Sequence, residues 1–90
     1  MSDGVIFDLK GVYTMNKTRR KELGAAIDVL WDAEAFIEGV KEEEEEYLAR
    51  MPENLRDGDR GATVSSKIDA MHKAMEYIEA AIEKIRYAQK

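Results

Sequence analysis

Acidic side chains form the most conspicuous group of chemically capable residues in this sequence. Five consecutive glutamates, Glu42–Glu46, follow Lys41, and Glu76 and Glu79 lie three residues apart on a later segment. Carboxylates from two helices that meet at one point can hold a divalent cation. Five successive acids point in all directions around a helix, so only about two or three of them can face one ligand. We therefore interpret the glutamate run as a solvated helix surface.

The same carboxylates are loosely similar to the motifs of the MazG-type nucleotide pyrophosphohydrolases, an all-α family with paired Glu-x-x-Glu and Glu-x-x-Asp motifs. Glu43 and Glu46 would supply one pair, and Glu76 and Glu79 the other. A run of five glutamates makes such a match almost inevitable. A MazG-like, metal-dependent enzyme is therefore kept only as a minor alternative.

His72 is the only histidine, and the sequence has no cysteine. Asp69 and Glu76 lie on the same side of a helix as His72, and a related Glu-x-x-His spacing occurs in di-iron bundles. Such a site needs two histidines and four carboxylates, so we expect no metal and no cofactor. The sequence also lacks a glycine-rich phosphate loop and a nucleophile paired with a base. We predict a protein without catalytic residues that is not an enzyme.

Basic and aromatic residues form the second group that could bind a partner. Three consecutive cations open a predicted helix, where the helix dipole already places partial positive charge. Their position opposes that dipole, which favours an anionic partner such as a phosphate or an acidic protein surface. A tryptophan on the first helix could be core or a stacking platform, and two arginines lie in a predicted connection. The candidate partner-binding residues are Arg19, Arg20, Lys21, Trp31, Arg56 and Arg60.

The segment 63–89 has the pattern of a bundle helix. Its large apolar residues alternate between spacings of four and three, which is the spacing of a heptad seam. Ala74, Ala81 and Ala88 add a line of small residues that would let another helix approach closely, and Ser65 or Ser66 could cap the helix start. The predicted seam, which is also the predicted oligomer interface, consists of Val64, Ile68, Met71, Met75, Ile78, Ile82 and Ile85.

A longer helix is predicted over 18–51, with Asn16 or Thr18 as its N-cap and Pro52 as its stop. Its length suggests that the Thr18–Leu23 end projects beyond the second helix. The connection 52–62 is rich in turn residues, and we expect Leu55 to pack onto the end of the bundle. The predicted apolar stripe is Leu23, Ile27, Leu30, Ile37, Val40, Tyr47, Leu48 and Met51, widened by Ala26, Ala33 and Phe36.

These elements predict an all-α fold in which residues 15–90 form a single domain, an antiparallel two-helix hairpin. A hairpin of this size leaves part of both apolar stripes uncovered. The simplest arrangement that covers these stripes is a symmetric homo-oligomer, a dimer or higher, that completes a helical bundle.

Residues 1–14 read differently from the rest, because they are rich in strand formers and interrupted by Gly4 and Gly11. One interpretation is a translated leader, since Lys10–Val12 can be encoded as a purine-rich ribosome-binding sequence ahead of a start at Met15. The other interpretation is a short strand or an arm exchanged between protomers.

The composition of the 90 residues limits the function classes. The formal net charge is -5, which argues against sequence-independent binding to nucleic acid. No apolar run approaches the length that crosses a bilayer, and no signal peptide is visible. We expect a cytoplasmic protein with no membrane partner.

Several short segments resemble a group of small helical proteins from phages and prophages of Gram-positive bacteria. The resemblance covers Met15–Lys90 and depends on Met51–Leu55 (MPENL), Arg60–Gly61, the Arg-Arg-Lys opening and the glutamate-rich end of the first helix. The second helix is less acidic than in that group. The departures are Ser65, Ser66, Lys67, His72, Lys73 and Lys84.

That group has no established activity, so the resemblance implies only a phage accessory protein. We expect a non-enzymatic protein that binds and inhibits a host defence component in the host cytosol, in the manner of anti-CRISPR or similar anti-defence inhibitors. One alternative is an oligomeric sponge that sequesters a nucleotide immune signal between protomers. Another is a structural or regulatory phage protein.

Overall fold

The computed structural model describes residues 6–7 and 13–90. Two two-residue strands come first, β1 (Ile6–Phe7) and β2 (Tyr13–Thr14), paired antiparallel. Three helices follow: α1 (Lys17–Arg50), α2 (Glu53–Arg56) and α3 (Asp59–Gln89). The long helices α1 and α3 pack against each other in opposite directions, which confirms the all-α class.

The N-terminal strands agree with the strand interpretation of the first segment. Ile6 lies opposite Thr14 and Phe7 opposite Tyr13. Residues 1–5 and 8–12, on which the leader hypothesis depends, lie outside the described residues.

The ends of α1 lie within one residue of their predicted positions. The Asn16 side-chain oxygen accepts a hydrogen bond of 2.8 Å from the Arg19 backbone N–H, so Asn16 is the N-cap. At the other end Met51 leaves the helical conformation, with φ -64° and ψ 140°, as expected for a residue that precedes proline.

The predicted connection was wrong in two respects. Glu53–Arg56 forms the short helix α2, and α3 begins at Asp59, four residues before the predicted start. Gly58 is the N-cap of α3, so Ser65 and Ser66 lie inside the helix. A Cβ at Gly61 would overlap the Arg56 backbone, so the absent side chain lets α3 begin this close to α2.

The early start of α3 also overturns the predicted overhang of α1. The side-chain amide of Gln89 donates a hydrogen bond of 3.0 Å to the carbonyl oxygen of Arg20. With 31 residues in α3 and 34 in α1, the two helices are nearly equal in length. The Thr18–Leu23 end therefore has the end of α3 beside it.

The predicted seam of α3 faces α1 of the same chain. Val64, Met75 and Ile82 are buried, and the other four seam residues are half-buried. On α1 and just beyond it, Ile27 and Met51 complete the buried apolar residues of the described part of the chain. The seam is thus confirmed as a packing surface, and its role between protomers stays a prediction.

The hairpin is slender and has a small core. It extends 68 × 18 × 18 Å, with a radius of gyration of 20.6 Å. A compact chain of this length would have a radius of about 12 Å. Leu55, expected to pack onto the end of the bundle, is 40% exposed. Among the described residues, no helix combines the length and the apolar character that crossing a membrane requires.

Candidate functional site

Helix α1 carries two apolar stripes on two of its sides. The inner stripe has a heptad spacing and lies against α3. Three charged residues interrupt it, Glu34, Lys41 and Glu44, and all three are half-buried. Its apolar members are Leu23, Ile27, Leu30, Ile37 and Leu48, with Met51 just beyond the helix.

The outer stripe consists of Val29, Phe36, Val40 and Tyr47, which repeat at intervals of seven, four and seven residues. At about 100° per residue these four side chains fall within about 40° of one another on the helix. Their exposed fractions are 66%, 79%, 42% and 43%. The sequence-based prediction had merged Phe36, Val40 and Tyr47 with the buried stripe, and in the single chain that assignment is wrong.

Small residues of α3 lie next to the outer stripe. Ala74 and Ala81 are half-buried, Ala88 is exposed, and Tyr77 is 72% exposed. The inner stripe of α1 and the seam of α3 face each other. In an antiparallel pair, residues that are displaced from these facing stripes in the same rotational sense, each about its own helix axis, reach the same face of the hairpin. The outer stripe lies about 100° from the inner stripe of α1, and the line of Ala74, Ala81 and Ala88 lies about 100° in the same sense from the seam of α3. They form one surface, the apolar face: Val29, Phe36, Val40 and Tyr47 of α1 with Ala70, Ala74, Tyr77, Ala81 and Ala88 of α3.

The two edges of the apolar face have opposite charge. Along the length of the face, Asp32 and Glu43 lie on the outer side of α1, with Glu43 seven residues after Phe36, and Lys73 and Lys84 lie on the outer side of α3, with Lys84 seven residues after Tyr77. All four side chains are exposed. A partner that lies across the face therefore meets mainly acidic side chains on one side and mainly basic side chains on the other, with Lys73 already 3.4 Å from Glu76 and Arg50 just beyond the acidic side.

The opposite face of the hairpin is polar and holds a carboxyl pair. Glu34 of α1 shares a hydrogen bond with Glu79 of α3, which together with burial and the negative charges of Glu79 and Glu38 raises the pKa of Glu34 to about 6. The second carboxyl oxygen of Glu34 is enclosed and has no hydrogen-bond partner among the described residues. The pair can therefore hold one proton between two carboxyl groups.

Trp31 lies on this polar face. The guanidinium carbon of Arg86 is 6.0 Å from the centroid of its ring, within the range of a cation–π contact. A shallow groove beside it is lined by Glu76, Glu79, Ala80, Ile82 and Glu83. Trp31 is 40% exposed, so it is not a core residue of the single chain.

The six candidate partner-binding residues do not meet at one place. Arg19, Arg20 and Lys21 lie in the first turns of α1, beside the end of α3. Arg56 and Arg60 lie at the other end of the hairpin, about 50 Å away along α1. Arg20 is half-buried, whereas Arg19 and Lys21 are exposed. This separation follows from the predicted length of the first helix, and the sequence analysis grouped the six residues by charge and aromatic character without applying it.

The MazG-like arrangement also fails to form. Glu79 meets Glu34, and the antiparallel register places Glu43 and Glu46 well beyond its reach along α1. On the exposed surface of α3, the Nε2 atom of His72 lies 3.5 Å from one carboxylate oxygen of Glu76, and the Nζ atom of Lys73 lies 3.4 Å from the other. In the part of the chain that the structure describes, no three His, Cys, Asp or Glu side chains converge as metal ligands.

Comparison of the chain with protein-family models, with curated proteins and with solved structures gave no match. The apolar face is well suited to binding a protein, because five of its side chains are large, apolar and exposed: Val29, Phe36, Val40, Tyr47 and Tyr77. The sequence analysis predicted the line of Ala74, Ala81 and Ala88 on α3 as a surface for another helix, but it missed the outer stripe of α1. The seven-residue repeat of Val29 with Phe36, and of Val40 with Tyr47, was the signal that could have found it.

Proposed function

We propose that this protein acts by binding other protein chains, as a small phage accessory protein that inhibits a host defence component. The apolar face is the observation that carries the first part of this proposal, binding between protein chains. Phe36 is 79% exposed and Tyr77 is 72% exposed on one side of a slender hairpin. Contiguous exposed apolar surface of this kind marks protein-binding sites in soluble proteins.

A second surface, the basic end, supports an anionic host partner. Because the end of α3 lies beside the start of α1, Lys90 joins the cations of the first turns. The basic end consists of Lys17, Arg19, Arg20, Lys21 and Lys90. Its charge opposes the helix dipole of α1, so the stability of that helix does not account for it. An acidic surface of a host defence protein in the bacterial cytosol is the partner that suits this charge.

A sponge for a nucleotide signal is a less well supported function. It requires the candidate basic and aromatic side chains to converge between protomers. Within one chain Arg86 lies over the Trp31 ring, but the candidate cations Arg56 and Arg60 lie far from Trp31 along α1. A structural or regulatory phage protein is the other alternative, and it would use the same apolar face without a defence partner.

Affinity purification of the tagged protein from a Gram-positive host lysate tests the proposal. We expect one protein at a stoichiometric amount, retained by wild type and lost when Arg19, Arg20 and Lys21 are all changed to Gln. The matched control is Arg56→Gln with Arg60→Gln, which removes cations from the opposite end and should retain the partner. A small molecule released on heating, with no protein captured, would contradict the proposal and support the sponge.

A further inference from the structure

We infer that the apolar face is occupied by a second copy of this chain, with α1 of each copy packed beside α3 of the other. This inference rests on the proposed mode of action, binding between protein chains, and it names the chain that binds at this face. The host partner would then bind at the basic end.

The size of the face suits a dimer. From Val29 to Tyr47 it is about 27 Å long, and the hairpin is 18 Å wide. These dimensions give a projected area of about 490 Å². A stable protein–protein interface buries about 800 Å² on each partner, and interdigitated side chains bury more area than their projection, so the face suits a small interface. The single hairpin, by contrast, buries few large apolar side chains of its own among the described residues.

The shapes of the two halves favour contact between unlike helices. The α1 half presents large side chains, including Phe36 and Tyr47, whereas the α3 half presents mostly alanines. Large side chains of one helix pack closely against small residues of a neighbour, because the helix backbones can then approach. Pairing α1 with α1 would instead place large residue against large residue and leave the alanines in loose contact.

The charged edges favour the same choice. Two hairpins can pack face to face with their two-fold axis either parallel or perpendicular to the helices. The parallel axis brings the edge of Asp32 and Glu43 to the edge of Lys73 and Lys84 of the second copy. The perpendicular axis brings acidic edge to acidic edge, which is repulsive. Opposite charges therefore select the parallel axis.

The parallel axis has a consequence that can be measured. Both basic ends lie at the same end of the four-helix bundle, and both connections lie at the other. With a perpendicular axis, the two starts of α1 would lie at opposite ends, about 60 Å apart for residue 18.

Spin labels on Thr18→Cys test the arrangement, because the chain has no other cysteine and Thr18 is exposed. In double electron–electron resonance we expect one distance within about 30 Å, since helices in a bundle are about 10 Å from their neighbours. A distance near 60 Å would overturn the arrangement. Protein that sediments as a single chain and gives no measurable distance between labels would also overturn the arrangement.

A pair of neighbouring variants tests whether the apolar face is the contact surface. Phe36→Asp should convert the dimer to single chains, because it places a charge from each copy in the interface. Ala35→Asp adds the same charge to an exposed position off the face and should leave the dimer intact. A Phe36→Asp protein that remains dimeric would overturn the inference. If wild type were monomeric yet still captured its host protein through the basic end, only the second copy would be ruled out and the proposed function would stand.

Discussion

The side-chain amide of Gln89 donates a hydrogen bond of 3.0 Å to the carbonyl oxygen of Arg20, so the last turn of α3 lies beside the first turns of α1. This contact marks the register of the hairpin, in which the apolar seam of α3 packs along α1. That register places Glu79 beside Glu34 and gathers Lys90 with the cations of the basic end. The geometry of both candidate surfaces follows from it.

Loss of this hydrogen bond should loosen the ends of the two helices. We expect Gln89→Leu to lower the free energy of unfolding by about 0.5–1.5 kcal/mol, because the variant keeps the side-chain size and loses the donor. Urea denaturation measures the change. Hydrogen exchange should speed up most at the amides of 17–24, and an unchanged exchange rate there would contradict the assigned register.

Two glycines offer a matched pair of alanine substitutions. Gly61→Ala should destabilise the protein by about 1–3 kcal/mol, since its Cβ would overlap the Arg56 backbone. Gly39→Ala has no atom within 4 Å of the added Cβ and should stabilise α1 by about 1 kcal/mol. Thermal melting of both variants measures the difference. Equal effects in the two would show that α2 does not pack closely on α3.

The glycine pair also shows what the sequence could and could not predict. Asn16 as a cap, Pro52 as a stop and the heptad of α3 are local signals, and the structure confirms them. The start of α3 was missed because the segment around Gly61 has the composition of a turn. In the structure the Arg56 backbone closely approaches Gly61, and local composition does not reveal this approach.

The division of α1 into two stripes was missed for a related reason. Charged residues are normally assigned to the outside of a helix, and Glu34 and Lys41 are half-buried in the inner stripe. Apolar residues are normally assigned to the inside, and Phe36 is 79% exposed. The packing of α3 distinguishes the two stripes, and the seven-residue repeats of Val29 with Phe36 and of Val40 with Tyr47 were the sequence signal of the outer one.

The carboxyl pair predicts a dependence of stability on pH. Since folding raises the pKa of Glu34 from 4.5 to about 6, the folded state binds more protons than the unfolded state between these values. The stability that this group contributes is present below pH 4.5 and is lost as the pH rises through about 6.

Glu34→Gln should remove this dependence, because an amide can donate to Glu79 at any pH. We expect a higher melting temperature than wild type at neutral pH and a difference that shrinks below pH 4.5. The control is Glu42→Gln, which removes one exposed charge from the same helix and should change the melting temperature less. The assignment would be contradicted if the melting temperature changed by the same amount between pH 4.5 and 6 in wild type, Glu42→Gln and Glu34→Gln.

The basic end predicts a salt-sensitive interaction. Changing Arg19, Arg20 and Lys21 together to Gln should preserve helicity and oligomeric state, or raise stability slightly, because the cations oppose the helix dipole. The same change should abolish binding of the proposed host partner. Binding by wild type should weaken as salt is added, the signature of an electrostatic contact. Full activity of the triple variant would place the binding site elsewhere, and the acidic surface of Glu42–Glu46 would be the next candidate.

Sedimentation equilibrium of the wild-type chain at micromolar concentrations tests the central claim, that the apolar face is covered by protein in solution. The account predicts a mass of about twice the chain mass of 10.3 kDa, with a melting temperature that rises with protein concentration. A particle of 10.3 kDa that unfolds cooperatively at a temperature independent of concentration would contradict it.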